Sequence, residues 1–235
     1  MTPEAVFELC EITDASAQTR LADYVRLLLD ENTRINLTAT RDVGEFWSRH
    51  IVDSLAALPF IDPATTEKVA DLGTGGGLPG IPLACVMPEV RFVLIDSTQK
   101  KIAALERIVA AMGIPNVEFV GDRAENIGRM PKYREKFEVV TTRAVGKVAQ
   151  LVEWCSGLLA VDGQCLIYKL ANGLDEELKA AEKAAAQCQL DFETAFEYDI
   201  PENDIRRALV IYSKVDALPA RLPRPASAAK GKPLL

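Results

Sequence analysis

A glycine-rich segment early in the chain sets the strongest limit on the fold. Residues 71–84 read DLGTGGGLPGIPLA and contain five glycines and two prolines. The preceding KVADLG (68–73) is typical of a buried strand, and Pro79 and Pro82 lie near a helix start, where a missing N–H costs least. A strand, a glycine turn and a helix in this order predict a nucleotide-binding unit, because backbone can approach a ligand where no side chain intervenes.

Short apolar runs alternate with amphipathic runs after this segment. Further strands are predicted at 91–96, 117–121, 137–143 and 164–170, and helices at 98–112, 147–160 and 174–188. This alternation predicts an α/β protein with a doubly wound, Rossmann-like parallel sheet, which AFEYDI (195–200) and ALVIYSKV (208–215) close as a hairpin.

The rest of the chain divides around this sheet. Residues 1–62 carry helical spacing and are predicted to form an N-terminal helical extension. The sheet domain is predicted over 63–215, and residues 216–235, rich in Ala, Pro and Lys, are predicted to form a disordered tail.

Composition and charge exclude several classes of protein. The one histidine and the five cysteines without CxxC spacing argue against a metal centre or a disulfide framework. With no apolar run long enough to cross a bilayer and no signal pattern, we expect a soluble, cytoplasmic protein without a membrane partner. The net charge of −7 excludes uniform electrostatic binding of nucleic acid, so any RNA contact must use a local basic patch or a target folded with other proteins.

Two acidic residues bear on the choice of nucleotide. GGGLPG (75–80) fits the dinucleotide pattern, but Asp71 adds a carboxylate that suits the sulfonium and ammonium of S-adenosylmethionine (SAM) better than a pyrophosphate. Asp96 ends the next strand, where an acid binds ribose hydroxyls in NAD and SAM sites alike; its alternative role is a helix N-cap. We therefore predict SAM, with Gly75 among the loop residues that approach it.

Several strings along the chain resemble one family. NLTATRD, RHIVDSL, DLGTGGGLPGIPLA, IDSTQKK, GDRAEN and TTRAVGKVAQLVEW follow each other in this order, and over roughly residues 20–215 the chain resembles the RsmG (GidB) family of bacterial rRNA methyltransferases. One departure is visible, since YKLANG (168–173) stands where the family often has LKG.

The resemblance implies a SAM-dependent class I methyltransferase that yields S-adenosylhomocysteine and methylates N7 of one guanine in 16S rRNA, guanine 527 in rRNA numbering. It also implies the residues that contact SAM, which are Gly73, Leu78, Ala124, Glu125 and Arg143. The implied partner is 16S rRNA within the small ribosomal subunit or an assembly intermediate, and we expect a monomer.

Methylation at N7 of guanine requires little catalytic chemistry from the protein. N7 of guanine has a free lone pair and no proton to lose, so no general base is needed and catalysis can rest on proximity and orientation. Arg143 is a candidate for the active centre, and Glu125 or Asp71 for stabilising the positive charge that develops on guanine. His50, on the apolar stripe of a predicted helix, is interpreted as a packing residue rather than an RNA contact.

Basic residues near predicted strand ends suggest where RNA binds. The predicted positive rim around the methyl donor consists of Lys100, Lys101, Arg143, Lys147 and Lys169. Arg41 and Arg49 are candidates as well, either as phosphate contacts or as solvated surface charges.

Three other functions stay open at this level. An NAD(P)-dependent oxidoreductase is one, although the chain has no Tyr-x-x-x-Lys pair. A SAM-dependent methyltransferase for a small molecule or a protein is another, because one fold hosts many acceptors. A SAM-binding ribosome assembly factor without catalysis is the third.

Overall fold

A computed structural model of the chain describes residues 1–202, 204–229 and 234. Its centre is one seven-stranded sheet with the strand order β3-β2-β1-β4-β5-β7-β6. The strands are β1 (Lys68–Leu72), β2 (Arg91–Ile95), β3 (Val117–Val120), β4 (Phe137–Arg143), β5 (Leu159–Leu170), β6 (Leu190–Asp199) and β7 (Arg206–Lys214). β1 to β5 run parallel, and β7 is antiparallel to both of its neighbours. The predicted doubly wound α/β sheet with a closing hairpin is confirmed.

Helices cover both faces of this sheet. They are α1 (Pro3–Leu9), α2 (Ala15–Glu31), α3 (Val43–Phe46), α4 (Val52–Leu55), α5 (Gly80–Val86), α6 (Gln99–Met112), α7 (Ala124–Ile127), α8 (Val148–Ser156), α9 (Leu174–Gln187) and α10 (Ala226–Ala229). A π-helical turn (Trp47–Ile51) joins α3 to α4, and a 3₁₀ turn follows (Leu58–Phe60). Because side chains alternate along a strand, one core forms under α2, α5 and α6 and a second under α8 and α9.

The N-terminal helices share a core with the sheet. Asp14 caps α2 by accepting from the amides of Ser16 and Ala17, and the apolar side of α2 then packs on α5 and α6. On the same side of α2, Tyr24 donates from its hydroxyl to the carbonyl of Gly76 at 2.7 Å. The helices of residues 1–62 therefore support the glycine-rich loop directly.

The boundary between α8 and β5 differs from the prediction. The helix predicted over 147–160 ends at Ser156, and β5 begins at Leu159 rather than at residue 164. The cause is an irregular stretch in the pairing of β4 with β5, where Asp162 adopts a positive φ of 67° beside Gly163. The dipeptide Asp-Gly is typical of a turn between elements, but here it lies within a strand.

Residues 216–229 differ from the predicted disordered tail. Leu218 and Leu222 are buried, and the Arg134 side chain donates to the carbonyl oxygens of both. Arg224 forms an ion pair with the buried carboxylate of Glu153 at 2.6 Å. Two leucines and one arginine thus anchor a segment whose composition suggests little to bury; residues 230–233 and 235 of the predicted tail lie outside the described residues.

Within the described residues, no helix is long and apolar enough to cross a membrane. The same part of the chain contains no cluster of three or more His, Cys, Asp or Glu side chains arranged to hold a metal ion.

Candidate cofactor and acceptor site

Two adjoining cavities lie along the carboxyl ends of the parallel strands. The first, of about 140 Å³, lies between the ends of β1 and β2 and the start of α7, and we call it the β3-side cavity. The second, of about 410 Å³, lies between the glycine-rich loop, the end of β4 and the N-terminal segment, and we call it the β4-side cavity. Gly73, Asp96, Ser97 and Val145 line both, so the two cavities form one cleft. This edge is where doubly wound sheets bind ligands.

The glycine-rich loop forms the wall shared by both cavities. Gly73 and Gly75 have positive φ angles of 75° and 58°, a conformation that glycine adopts without strain. A Cβ atom on Gly73 would lie 2.3 Å from Cγ2 of Val145, so a side chain cannot be added here without moving the opposite wall. Leu78, whose side chain is buried, lines the β4-side cavity. The predicted loop residues Gly73, Gly75 and Leu78 therefore all border the cleft.

Asp71 holds the loop and faces neither cavity. Its carboxylate is fully buried and accepts hydrogen bonds from the Thr74 hydroxyl at 2.6 Å, the Gly80 amide at 3.0 Å and the Thr141 hydroxyl at 3.2 Å. Burial raises the pKa of Asp71 to about 6, because these partners are neutral and only partly offset the loss of hydration. The expectation that Asp71 offers charge to a sulfonium or to a developing guanine cation is wrong, since its oxygens are used within the protein.

Asp96 connects the loop to the next helix and lines both cavities. Its Oδ2 accepts from the Gly75 amide at 3.0 Å, and its Oδ1 accepts from the Thr98 amide at 2.8 Å. The N-cap of α6 is Thr98, so Asp96 does not have the alternative role of helix N-cap. Its carboxylate oxygens can each accept a further hydrogen bond from a ligand.

Glu125 is a largely buried residue that borders the β3-side cavity. Only 7% of the residue is exposed, and among the described residues no hydrogen-bond or ion-pair partner of its side chain is found. Its carboxylate oxygens are not among the buried polar atoms that lack a partner in the described residues, so they are open to the cavity. Its position beside Ala124 at the start of α7 fits a hydrogen bond to a donor group of a ligand.

Arg143 ends β4 and lines the β4-side cavity within a chain of polar contacts. Its Nη1 donates to Oδ2 of Asp53 at 2.8 Å, and its Nη2 lies 3.3 Å from Nδ1 of His50. Since a guanidinium carries donors only, Nδ1 accepts, and the proton of His50 must sit on Nε2. Nε2 lies 2.9 Å from the hydroxyl of Thr40, to which it then donates.

His50 is therefore held as a neutral imidazole with both nitrogens engaged. Burial and the nearby guanidinium of Arg143 lower the pKa of His50 to about 4. The interpretation of His50 as a packing residue captures its hydrogen bonding but misses its position, because the ring also lines the β4-side cavity. With no free lone pair on either nitrogen, His50 does not act as a general base in this arrangement.

The candidate RNA contacts do not form one uniform rim. Lys101 lines the β4-side cavity, while Lys100 and Lys147 are exposed outside it. Lys169 forms an ion pair with Glu177 at 2.7 Å and donates to the carbonyl of Gly146 at 3.0 Å. The expectation that Lys169 belongs to an RNA-facing rim is thus not met, because its charge is neutralised and its side chain fixes the loop after β4.

Arg41 and Arg49 lie on the N-terminal segment and line neither cavity. Both are exposed, and Arg49 pairs with Glu45 one turn earlier in the helix. Neither is buried, so the choice between a phosphate contact and a solvated charge stays a prediction for both.

Asp53 is a site residue that the sequence reasoning missed. It accepts from Arg143, Arg207 and Tyr198, which lie 90, 154 and 145 residues away in sequence. Burial alone raises the pKa of a carboxyl group, but Arg143 and Arg207 hold the pKa of Asp53 below its ordinary value. Its place in RHIVDSL, three residues after His50, is the only local signal.

This combination defines a class of protein. A doubly wound sheet with a glycine-rich loop after β1, an acid after β2 and a ligand cleft at the carboxyl edge is a Rossmann-like nucleoside-binding unit of the class I methyltransferase type. Residues 17–202 match the family described as GidB, rRNA small subunit methyltransferase G. The chain belongs to this family, which confirms the predicted resemblance.

Proteins of related sequence match this chain along nearly its whole length. A ribosomal RNA small subunit methyltransferase G from Carboxydothermus hydrogenoformans is 40% identical over 90% of this chain and 89% of its own length. One of the same name from Clostridium novyi is 38% identical over 90% of this chain and 87% of its own length. The interpretation as a methyltransferase is therefore confirmed, and the oxidoreductase alternative is not supported.

Solved structures share the fold at low sequence identity. The YcgJ protein of Bacillus subtilis is 16% identical with a TM-score of 0.54, covering 71% of this chain and 100% of that one. Fibrillarin of Aeropyrum pernix, solved with natively bound S-adenosyl-L-methionine, is 14% identical with a TM-score of 0.53, covering 68% of this chain and 73% of that one. At such identities the likeness establishes the fold alone.

Proposed function

We propose that the chain transfers a methyl group from SAM to N7 of a guanine in 16S rRNA of the small ribosomal subunit. The corresponding guanine is number 527 in rRNA numbering. The observation that carries the proposal is the cleft itself, which has the Glu125 carboxylate at one end and, at the other, a wall with the Arg143 guanidinium and a histidine whose two nitrogens are already engaged. An rRNA substrate also implies a cytoplasmic enzyme, and the predicted monomeric state stays a prediction.

The residues present fit SAM as the cofactor predicted from the sequence. Gly73 brings bare backbone to the cleft at a point where a Cβ would clash with Val145, Asp96 lies at the position suited to ribose hydroxyls, and Glu125 offers an acceptor to the base. When bound there, SAM supplies a methyl group activated by its sulfonium. The cofactor-binding residues we propose are Gly73, Gly75, Leu78, Asp96, Ala124, Glu125 and Arg143.

This reaction requires the protein to orient SAM and the guanine, but not to transfer a proton. With SAM held by the residues named above, its methyl group would pass to the N7 lone pair while the electron pair of the C–S bond would stay on sulfur. Guanine N7 carries no proton, so the neutral and fully engaged His50 is consistent with this acceptor. An exocyclic amine loses a proton on methylation, and the β4-side cavity offers it no free imidazole.

Neither expected acid faces the developing guanine cation from the β4-side cavity. Asp71 is used in the loop and Glu125 borders the β3-side cavity, so among the described residues Asp96 is the acidic residue that lines the β4-side cavity. We propose that Lys101, Lys147 and Arg41 meet RNA phosphates around this cavity.

A transfer assay tests the reaction and the acceptor together. The purified protein is incubated with SAM labelled in the methyl group and with small subunits from bacteria that lack this enzyme. The expected result is label in 16S rRNA at one guanine, where borohydride and aniline cleave the chain only if N7 is methylated. Subunits from bacteria that contain the enzyme serve as the matched control and should take up almost no label.

Other outcomes distinguish the alternatives. Label in ribosomal proteins, or in added small molecules alone, would overturn an rRNA acceptor. Label in a guanine that resists aniline cleavage would overturn methylation at N7. Parallel reactions with naked 16S rRNA and assembly intermediates show which particle is the substrate.

A further inference from the structure

Asp53 collects four hydrogen bonds from three residues. Its Oδ1 accepts from the Tyr198 hydroxyl at 2.6 Å and from Nε of Arg207 at 3.0 Å. Its Oδ2 accepts from Nη2 of Arg207 at 3.0 Å and from Nη1 of Arg143 at 2.8 Å. The residue is 2% exposed and lines neither cavity, so it acts on a ligand only through its partners.

The partners of Asp53 come from separate parts of the fold. Asp53 belongs to α4 in the N-terminal helices, Arg143 ends β4, and Tyr198 and Arg207 belong to the β6–β7 hairpin. Of these, only Arg143 lines the β4-side cavity. Asp53 therefore joins one ligand-facing cation to two supports behind it.

We propose that Asp53 is a positioning residue, which fixes the guanidinium of Arg143 so that its free N–H donors bind the carboxylate of the methionine part of SAM. This inference rests on the SAM site of the proposed function. A guanidinium has five N–H donors, and described residues take two of those of Arg143, so three remain for a ligand. Arginine and carboxylate groups form short, directional hydrogen bonds, which makes the orientation of the guanidinium important.

Electrostatics explain why Arg143 needs this support. Two guanidiniums, those of Arg143 and Arg207, share the Asp53 carboxylate, and His50 beside them is neutral. Without the carboxylate, two like charges would remain in a partly buried site with nothing to hold them together. We expect Arg143 then to turn away from its present direction.

A double-mutant cycle on SAM affinity tests the inference. Calorimetry compares the wild-type protein with Asp53→Asn, Arg143→Ala and the combined variant. If Asp53 acts through Arg143, each single change weakens SAM binding by at least about 10-fold, and the combined variant binds within about threefold of Arg143→Ala. Losses that multiply in the combined variant would overturn the inference, as would an unchanged affinity in either single variant.

Two further variants separate positioning from stability. Tyr198→Phe removes one hydrogen bond to Asp53 and keeps both ion pairs, so it should stay folded and weaken SAM binding by a few-fold, but only while Arg143 is present. Glu135→Gln removes a carboxylate that holds Lys214 at the opposite edge of the sheet, and should lower stability without changing SAM affinity. A loss of affinity in Glu135→Gln that matches Asp53→Asn would show a merely structural role.

The test does not depend on the acceptor. Calorimetry with SAM needs no RNA, so a wild-type protein that leaves rRNA unlabelled but shows the expected cycle would disprove the proposed acceptor and keep the role of Asp53. A wild-type protein that does not bind SAM would overturn both.

Discussion

Two buried aspartates stand on opposite sides of the cleft and differ in the charge of their hydrogen-bond partners and in the direction of their pKa shifts. Asp71, below the glycine-rich loop, is bonded only to hydroxyl and amide groups, and its pKa rises to about 6. Asp53, behind the wall formed by Arg143, is bonded to two guanidiniums, and its pKa falls below the ordinary value. Both are almost completely buried, so the partners and not the burial decide the sign of the shift.

The difference matches what each side of the cleft has to do. The loop side holds backbone in an unusual shape, and neutral hydrogen bonds suffice for that. In the proposed role of Arg143 the wall side presents a charged group to a ligand, and the carboxylate behind it supplies the counter-charge. The same residue type thus supports shape on one side and charge on the other.

Replacing Asp53 with Asn should give the largest effect. Two guanidiniums lose their counter-charge, so we expect the free energy of unfolding to fall by about 3–5 kcal/mol at neutral pH. Urea denaturation of the variant and the wild-type protein measures this. Asp23→Asn, at an exposed pair with Arg26, is the matched control and should change stability by less than about 1 kcal/mol. A loss as small as the control's would remove the distinction drawn between the two aspartates.

Replacing Asp71 with Asn should change stability in a way that depends on pH. The folded state holds the proton of Asp71 more tightly than the unfolded state, because the pKa rises from 3.8 to about 6 on folding. The contribution of Asp71 to stability is therefore greatest below pH 3.8, falls as the pH rises through about 6, and is constant above it.

The Asp71→Asn variant has no carboxyl group to titrate at this position, so it lacks this pH dependence of stability. Its stability relative to wild type should rise by about 3 kcal/mol between pH 3 and pH 8, since one pKa unit corresponds to 1.36 kcal/mol. Urea denaturation at several pH values follows the difference. A difference that stays flat over this range would mean that folding does not shift the pKa of Asp71.

Gly73→Ala tests the shape of the loop with a smaller effect. The new Cβ would meet Val145 at 2.3 Å, so the loop or the opposite wall has to move. We expect SAM affinity to fall by about 100-fold, or about 2.7 kcal/mol, in calorimetry. Gly113→Ala is the matched control, because Gly113 also has a positive φ of 67° but nothing within 4 Å of the added atom. Equal affinities in the two variants would show that Gly73 does not border the cofactor.

Local sequence patterns predict one side of the cleft far better than the other. Asp71, Gly73 and Asp96 lie within 26 residues, so a strand, a turn and a strand suffice to bring them together. Even there the role of Asp71 escapes prediction, because its hydrogen bond to Thr141 depends on β4 lying beside β1.

The contacts behind Arg143 cannot be predicted from local sequence patterns. Asp53 meets Arg207 across 154 residues, and nothing in the sequence around either one indicates the other. The same reason explains Lys169, whose pairing with Glu177 depends on how α9 returns over β5. Contacts of this kind are set by the topology of the sheet, and predicting them requires the strand order as well as the strands.

The smallest effect is expected from replacing an exposed lysine near Arg143. Lys147, at the start of α8, is exposed, and Lys147→Gln should weaken RNA binding by only a few-fold. If it meets a phosphate, the slope of log affinity against log salt should become shallower by about 0.7–0.9. Filter binding to 16S rRNA over a series of salt concentrations measures the slope. Lys136→Gln, an exposed lysine just before β4 at the other edge of the sheet, should leave it unchanged. Equal salt slopes for the two variants would mean that RNA does not contact Lys147. A shallower slope in Lys147→Gln alone would show that RNA binds on the Arg143 side of the cleft.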